Sequence, residues 1–181
     1  MAGRSILETG RLQLREFDEG DAAPYYVLGS DPAIIRYTGD PGRGLTSLEH
    51  AREVLRSHPI SDYQKYGYGR WACVHRASGE VIGFAGLKYL DDLKEVDLGY
   101  RLRPDYWGLG LATEAGRAVV DYGFAQLKLK QIIALVPPEN LASARVLDKL
   151  GFTLVGDIEF RGASAAKYVV HARGATEQTA G

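Results

Sequence analysis

Leu98 to Ala115 reads LGYRLRPDYWGLGLATEA, and a change of period inside it decides the fold. From Lys94 to Leu102 apolar and polar residues alternate. Val96, Leu98, Tyr100 and Leu102 fall on one side, Glu95, Asp97 and Arg101 on the other, which is the repeat of a strand. Pro104 stops it. From about Leu109 to Gln126 the apolar residues recur at helical spacing, at Leu111, Ala115, Val119 and Tyr122. Between strand and helix, Gly108 and Gly110 bring a helix N-terminus into the open. The backbone N–H groups from about Trp107 through Gly108, Leu109, Gly110, Leu111 and Ala112 to Thr113 are expected to be unpaired and to point outward. Together with the helix dipole they suit a pyrophosphate, and glycine is needed because side chains would block its approach. A plain glycine-rich helix start would be written with the same residues.

The second informative stretch is Val136 to Phe152, VPPENLASARVLDKLGF. Lys130 to Val136 is a short apolar run suited to a buried strand, ended by Pro137-Pro138. Leu141 to Leu150 predicts a helix stopped by Gly151 at the C′ position. Asn140 stands where an N-cap would, and Ser143 is a first-turn serine. Upstream, Arg11 to Phe17 alternates as a strand. Short helical pieces follow at Asp21 to Gly29 and Asp31 to Tyr37, then a Gly/Pro-rich loop at Thr38 to Leu45. Thr46 or Ser47 caps a helix reaching about His58. Gly69 to His75 and Glu80 to Lys88 flank a turn at Ser78-Gly79 and read as a hairpin. Thr153 to Phe160 and Ala165 to Ala172 close the domain as two strands, and 173–181 reads as a disordered tail. The order is strand, helices, three antiparallel strands, helix, strand, helix, two strands. It predicts one α+β (mixed α/β) domain over 1–181 with its core at about 8–172, not a doubly wound parallel sheet.

Composition sets the outer bounds. The 181 residues include 22 glycines, about 12% against a usual share of about 7%. Lys+Arg 22 against Asp+Glu 23 leaves a formal charge of -1, so no global basic field is present to hold nucleic acid or an anionic membrane. Cys73 is the only cysteine, which excludes an intrachain disulfide and a thiolate zinc cluster, and the four histidines are not at metal-ligand spacing. The first residues, MAGRSILETG, lack the apolar stretch of a signal peptide, and no apolar run approaches the ~20 residues of a membrane span. The expectation is a cytoplasmic protein.

Three motifs fail on inspection. GDPGRGLT, Gly39 to Thr46, has P-loop glycine spacing, but Leu45 stands where the lysine must be. Gly108-Leu109-Gly110 opens a dinucleotide fingerprint whose third glycine is replaced by Thr113. Gly162 to Ala166 lacks the second glycine of a nucleophile elbow.

Taken together, the two informative stretches resemble the GNAT superfamily of acyl-CoA-dependent N-acetyltransferases, and within it the RimJ/RimL-like branch. The branch pattern W-G-x-G-x-A-T-E-A is carried by Trp107 to Ala115, P-x-N-x-x-S by Asn140 and Ser143, and K-x-G-F by Lys149 to Phe152. TGRLQLREF and GYGRWACVHRASGEVIGFAGL look like the same branch. The resemblance spans about residues 8 to 172 and implies a GNAT-type fold, a central mostly antiparallel twisted sheet flanked by helices. It also implies acetyl-CoA as cosubstrate, with its pyrophosphate on the amides of Trp107 to Thr113. The pantetheine would pair near Leu102, in the splay between the strand at 94–102 and that at 130–136. Asn140 matches the asparagine that bonds the pantetheine or phosphate arm. Arg103, Arg145 and Lys149 are cationic candidates for the nucleotide phosphates, with solvated surface charge as the alternative.

The implied reaction is attack of a neutral amine on the thioester. An α-amine of pKa ~8 needs less help losing its proton than a lysine of ~10.4. A strand N–H near Leu102 would hold the oxyanion. The glutamate and tyrosine that many GNAT enzymes use as base and acid are replaced by Leu135 and Leu147. That fits the branch, where a serine at the position of Ser143 can hydrogen-bond the thiol. Asp97 is the candidate base, with Glu95 in reserve, unless it is a solvated strand residue or catalysis rests on positioning with water taking the proton. Tyr37, Tyr66, Tyr68 and Trp71 are candidates for the acceptor groove. Three readings stand: acetylation of a protein N-terminal α-amine, acetylation of a small amine such as an antibiotic, polyamine or amino-acid derivative, or a non-catalytic acyl-CoA-binding domain. The implied partners are acetyl-CoA and the amine acceptor, in a monomer or homodimer.

Overall fold

The computed structural model describes residues 3–37 and 44–174. Most of the predicted loop at Thr38 to Leu45 and most of the predicted tail therefore lie outside the described residues. Among the described residues eight strands form one sheet: β1 (Ser5–Glu8), β2 (Leu12–Arg15), β3 (Arg70–His75), β4 (Val81–Leu90), β5 (Glu95–Leu102), β6 (Gln131–Val136), β7 (Thr153–Phe160) and β8 (Ala163–His171). Their order is β1-β2-β3-β4-β5-β6-β8-β7. Every neighbouring pair is antiparallel except β5 and β6, which are parallel and meet at a single residue pair, Asp97 with Ile133. The expected α+β architecture with a mostly antiparallel sheet is therefore the one observed.

Among the described residues six α-helices accompany the sheet: α1 (Ala22–Ser30), α2 (Pro32–Ile35), α3 (Leu48–Leu55), α4 (Ser61–Tyr66), α5 (Leu111–Ala125) and α6 (Leu141–Lys149). Strand alternation divides the core between the two faces of the sheet. Trp71, Cys73, Ala85, Leu87 and Leu98 join α5 and α6 through Leu111, Ala115, Val119 and Leu147. Ala72, between Trp71 and Cys73, points the other way and packs with Phe17, Ala22, Ala51 and Leu55 under α1 and α3. Burial pushes the Cys73 thiol far above its ordinary pKa.

Local chemistry explains the boundaries. The Ser47 hydroxyl accepts the His50 N–H at 3.0 Å and starts α3, as expected. Gly151 ends α6 in a Schellman turn: Phe152 N–H donates to Leu147 O at 3.0 Å and Gly151 N–H to Asp148 O at 3.1 Å. Two expectations are corrected. Seven strands were expected, but β1 adds an eighth at the edge, paired to β2. The helix expected to end near His58 instead continues through a wide π turn, Arg56–Ile60, into α4. The looser turn accommodates Pro59, which has no N–H to give.

Candidate active site

The loop after β5 is built by its backbone. Arg103 N–H donates to Ile82 O at 2.8 Å, and Pro104–Tyr106 form one tight helical turn closed by Trp107 N–H on Pro104 O at 3.1 Å. The Trp107 indole N–H donates to Leu102 O at 2.8 Å. This corrects the expectation for Trp107, whose amide is consumed by the turn. Gly108 and Gly110 have φ of 71° and 78°, the left-handed region that favours glycine. The N–H groups of Gly108, Leu109, Gly110, Leu111, Ala112 and Thr113 find no acceptor among the described residues; the helical ladder begins with Glu114 N–H on Gly110 O. A row of six amides thus precedes and opens α5.

Glu114 ties this loop to the turn between β1 and β2. Its carboxylate accepts from the Thr9 hydroxyl at 2.6 Å, Arg11 N–H at 2.8 Å and Arg11 Nε at 2.7 Å. Burial would raise its pKa, but the Thr9 and Arg11 hydrogen bonds outweigh that and lower it. Arg11 Nη1 donates to Leu109 O at 2.8 Å, and Nη2 lies 3.6 Å from where a Cβ on Gly110 would stand. Sequence reasoning missed Arg11; its only signal was its place in TGRL, 103 positions from its carboxylate partner.

Beyond Asp97 and Ile133, β5 and β6 diverge. Arg103 pairs back to β4, so by the alternation of an antiparallel ladder the amides of Tyr100 and Leu102 face the gap. On the far side, Asn140 caps α6, its Oδ1 accepting Ser143 N–H at 3.1 Å. The Tyr100 hydroxyl donates to Ser143 O at 3.2 Å across the gap. Burial pushes that phenol up to about 12, with Ser143 pulling the other way.

The two candidate bases are both engaged. Asp97 is 7% exposed; Oδ2 accepts Arg70 Nη2 at 2.5 Å and Oδ1 accepts Leu135 N–H at 3.2 Å. Burial raises its pKa against the opposing pull of Arg70. Glu95 accepts Lys167 Nζ at 2.5 Å and Gln131 Nε2 at 3.0 Å. Asp97 is thus not a solvated strand residue. Of the cationic candidates, Arg103 is paired with Asp105 at 2.7 Å and lies over the Tyr106 ring, while Arg145 and Lys149 are exposed on α6.

A cavity of about 690 Å³ opens between the sheet and the α1, α3 and α4 side, lined among others by Tyr25, His50, Asp62, Arg70, Phe84 and Lys88. Tyr37, Tyr66, Tyr68 and Trp71, the candidates for an acceptor groove, do not line this cavity. Trp71 is wholly buried against Tyr122, and Tyr66 packs on Tyr68 and Tyr89. Tyr37 is half-buried beneath Arg36. For Trp71 the reason is strand phase: Arg70 and Trp71 are neighbours on β3, so when one faces the cavity the other cannot. Among the described residues no helix is long and apolar enough to cross a membrane.

The family model for the acetyltransferase (GNAT) domain matches residues 11–153. YoaA of Bacillus subtilis (strain 168), an uncharacterised N-acetyltransferase, is 35% identical over 152 residues, 83% of this chain and 84% of that protein. The spermidine N(1)-acetyltransferase of Escherichia coli (strain K12) is 31% identical over 149 residues, 81% of this chain and 75% of that protein. Among solved structures, an acetyltransferase from Agrobacterium tumefaciens strain C58 has a TM-score of 0.78 at 28% identity, covering 92% of this chain and 94% of that one.

Proposed function

Because the chain belongs to the GNAT acetyltransferase family and is an N-acetyltransferase, we propose that it carries an acetyl group from acetyl-CoA to a protein N-terminal α-amine, as a member of the RimJ/RimL-like branch. One observation carries the choice of acceptor. Both carboxylates near the splay, Asp97 and Glu95, already hold partners, so no strong base stands ready. At pH 7 roughly a tenth of an α-amine is neutral, against well under a thousandth of a lysine, so the α-amine demands least of such a site.

The donor set suits acetyl-CoA. Six amides from Gly108 to Thr113, at the positive end of the α5 dipole, match a pyrophosphate in hydrogen-bonding sense, with the Arg11 guanidinium beside them and already paired with Glu114. A Cβ on Gly108 would meet nothing within 4 Å, so the approach is open. Tyr100 and Leu102 amides line the gap for the pantetheine arm, and Asn140 stands at its other wall. Arg145 and Lys149, exposed on α6, add positive charge for the nucleotide end. Acetyl-CoA supplies the activated acyl carbon. The strand amides of the gap hold the charge that develops on the acyl oxygen, and Ser143 donates its hydroxyl proton in a hydrogen bond to the departing sulfur. The amine proton passes to water.

Ser143→Ala is expected to lower turnover about tenfold while CoA affinity changes less than about twofold. Steady-state kinetics and calorimetric titration check this; an unchanged rate removes the serine from the mechanism.

A small amine is the second reading. The cavity of about 690 Å³ falls within the size range of small-molecule sites. Release of free CoA thiol, measured with acetyl-CoA and a panel of N-terminal peptides, amino-acid derivatives and polyamines, decides. Peptide preference is expected; faster turnover of small amines than of every peptide overturns the proposal.

A further inference from the structure

We propose that Asp97 and Arg70 form a positioning pair that props open the gap between β5 and β6, and that Asp97 does not take the acceptor's proton. The inference rests on the acetyltransferase reading above. It starts from the register of the two parallel strands. With Asp97 opposite Ile133, a ladder continued along β6 would carry the Leu135 N–H to the Leu98 carbonyl. That hydrogen bond is not made. Leu135 N–H donates instead to Asp97 Oδ1 at 3.2 Å. The side chain stands in the place of the missing backbone acceptor, so β6 is satisfied without closing on β5. The amides of Tyr100 and Leu102 then stay available to a ligand.

A carboxylate can play this part only if it is held still, and Arg70 holds it. Nη2 donates to Asp97 Oδ2 at 2.5 Å, and Nη1 donates to Asp97 O at 2.8 Å and to Gly86 O at 2.6 Å. One guanidinium thus grips both the side chain and the backbone of the residue at the apex of the splay. It reaches there from β3 by crossing β4 at Gly86 and lying on β5 at Gly99, which are register partners. A Cβ on Gly99 would stand 2.4 Å from the Arg70 guanidinium carbon, so the lane exists only because that position is bare. Arg70 also lines the cavity, which makes the pair a rigid wall between acceptor side and acyl side. Both carboxylate oxygens are committed: a proton on Oδ2 would oppose the Arg70 guanidinium, and one on Oδ1 the Leu135 N–H.

The test compares Asp97→Asn, Arg70→Met and the double variant R70M/D97L in the full chain. Either single change should raise KM for acetyl-CoA and Kd for CoA about tenfold or more, leave the pH profile of kcat with its wild-type shape, and be no worse in combination. The double variant leaves no buried charge without a partner, so it reports even where a single variant fails to fold. A loss confined to kcat in Asp97→Asn, with KM unchanged and one limb of the pH profile gone, would make Asp97 the base and overturn the inference. So would wild-type affinity in the double variant. A wild-type protein that neither binds CoA nor turns over acetyl-CoA would remove the acetyltransferase reading itself, and this inference with it.

Discussion

Gly110→Asp is expected to abolish CoA binding, with affinity falling at least about a hundredfold, or about 2.7 kcal/mol. The effect is electrostatic before it is steric. Gly110 has φ of 78°, and aspartate is one of the few residues that visits this region, so the penalty to the fold stays near 1–2 kcal/mol. A Cβ there has room, since its nearest neighbour is Arg11 Nη2 at 3.6 Å. The new carboxylate therefore settles beside Arg11 and among the amides of Gly108 to Thr113. It becomes a resident anion in a site shaped for a phosphate anion. Calorimetric titration with CoA measures the loss, and a melting curve separates it from unfolding. Undiminished binding would refute this loop as the phosphate site.

Trp71→Ala is expected to cost about 3–5 kcal/mol of stability and lower Tm by roughly 6–20 °C. Trp71, the second residue of β3, is 0% exposed, with Tyr122 of α5 edge-on to it at 5.1 Å. Its removal opens a void where the sheet meets its main helix. Trp71→Phe should cost clearly less. The ring contact is kept, and the indole N–H lost is one that has no hydrogen-bond partner among the described residues. Thermal and denaturant unfolding of the two variants checks the ranking; a Trp71→Ala protein as stable as wild type would place the core elsewhere.

The second half of the fold was legible because its signals are local. The alternation of 94–102 and the helical spacing after Gly110 describe β5 and α5 within a residue or two. Gly151 alone announces the end of α6. What escaped depends on distant partners. β1 is four residues long, and among the described residues its only strand partner is β2, across a bulge near Leu7. The helix end expected near His58 misses the continuation because a π turn leaves no periodic trace. Within the site, the glycine loop and Asn140 follow from motif and capping rules, whereas Arg11 on Glu114 and Arg70 on Asp97 join residues 103 and 27 positions apart. No spacing rule reaches that far. The misplacement of Trp71 has the same origin: identity suggested a groove, but the phase of β3 assigned it to the core.

Cys73 lies beside Trp71 on β3, fully buried and with a thiol that burial keeps protonated. Native protein is therefore silent to maleimides and other thiol-directed labels, which need an accessible thiolate. Since the chain has no second cysteine, every labelled molecule has at some moment exposed the centre of its sheet. Each molecule thus carries its own clock, and the rate at which mass is added reads how often β3 breathes, in wild type and in every variant named above, without a single engineered probe.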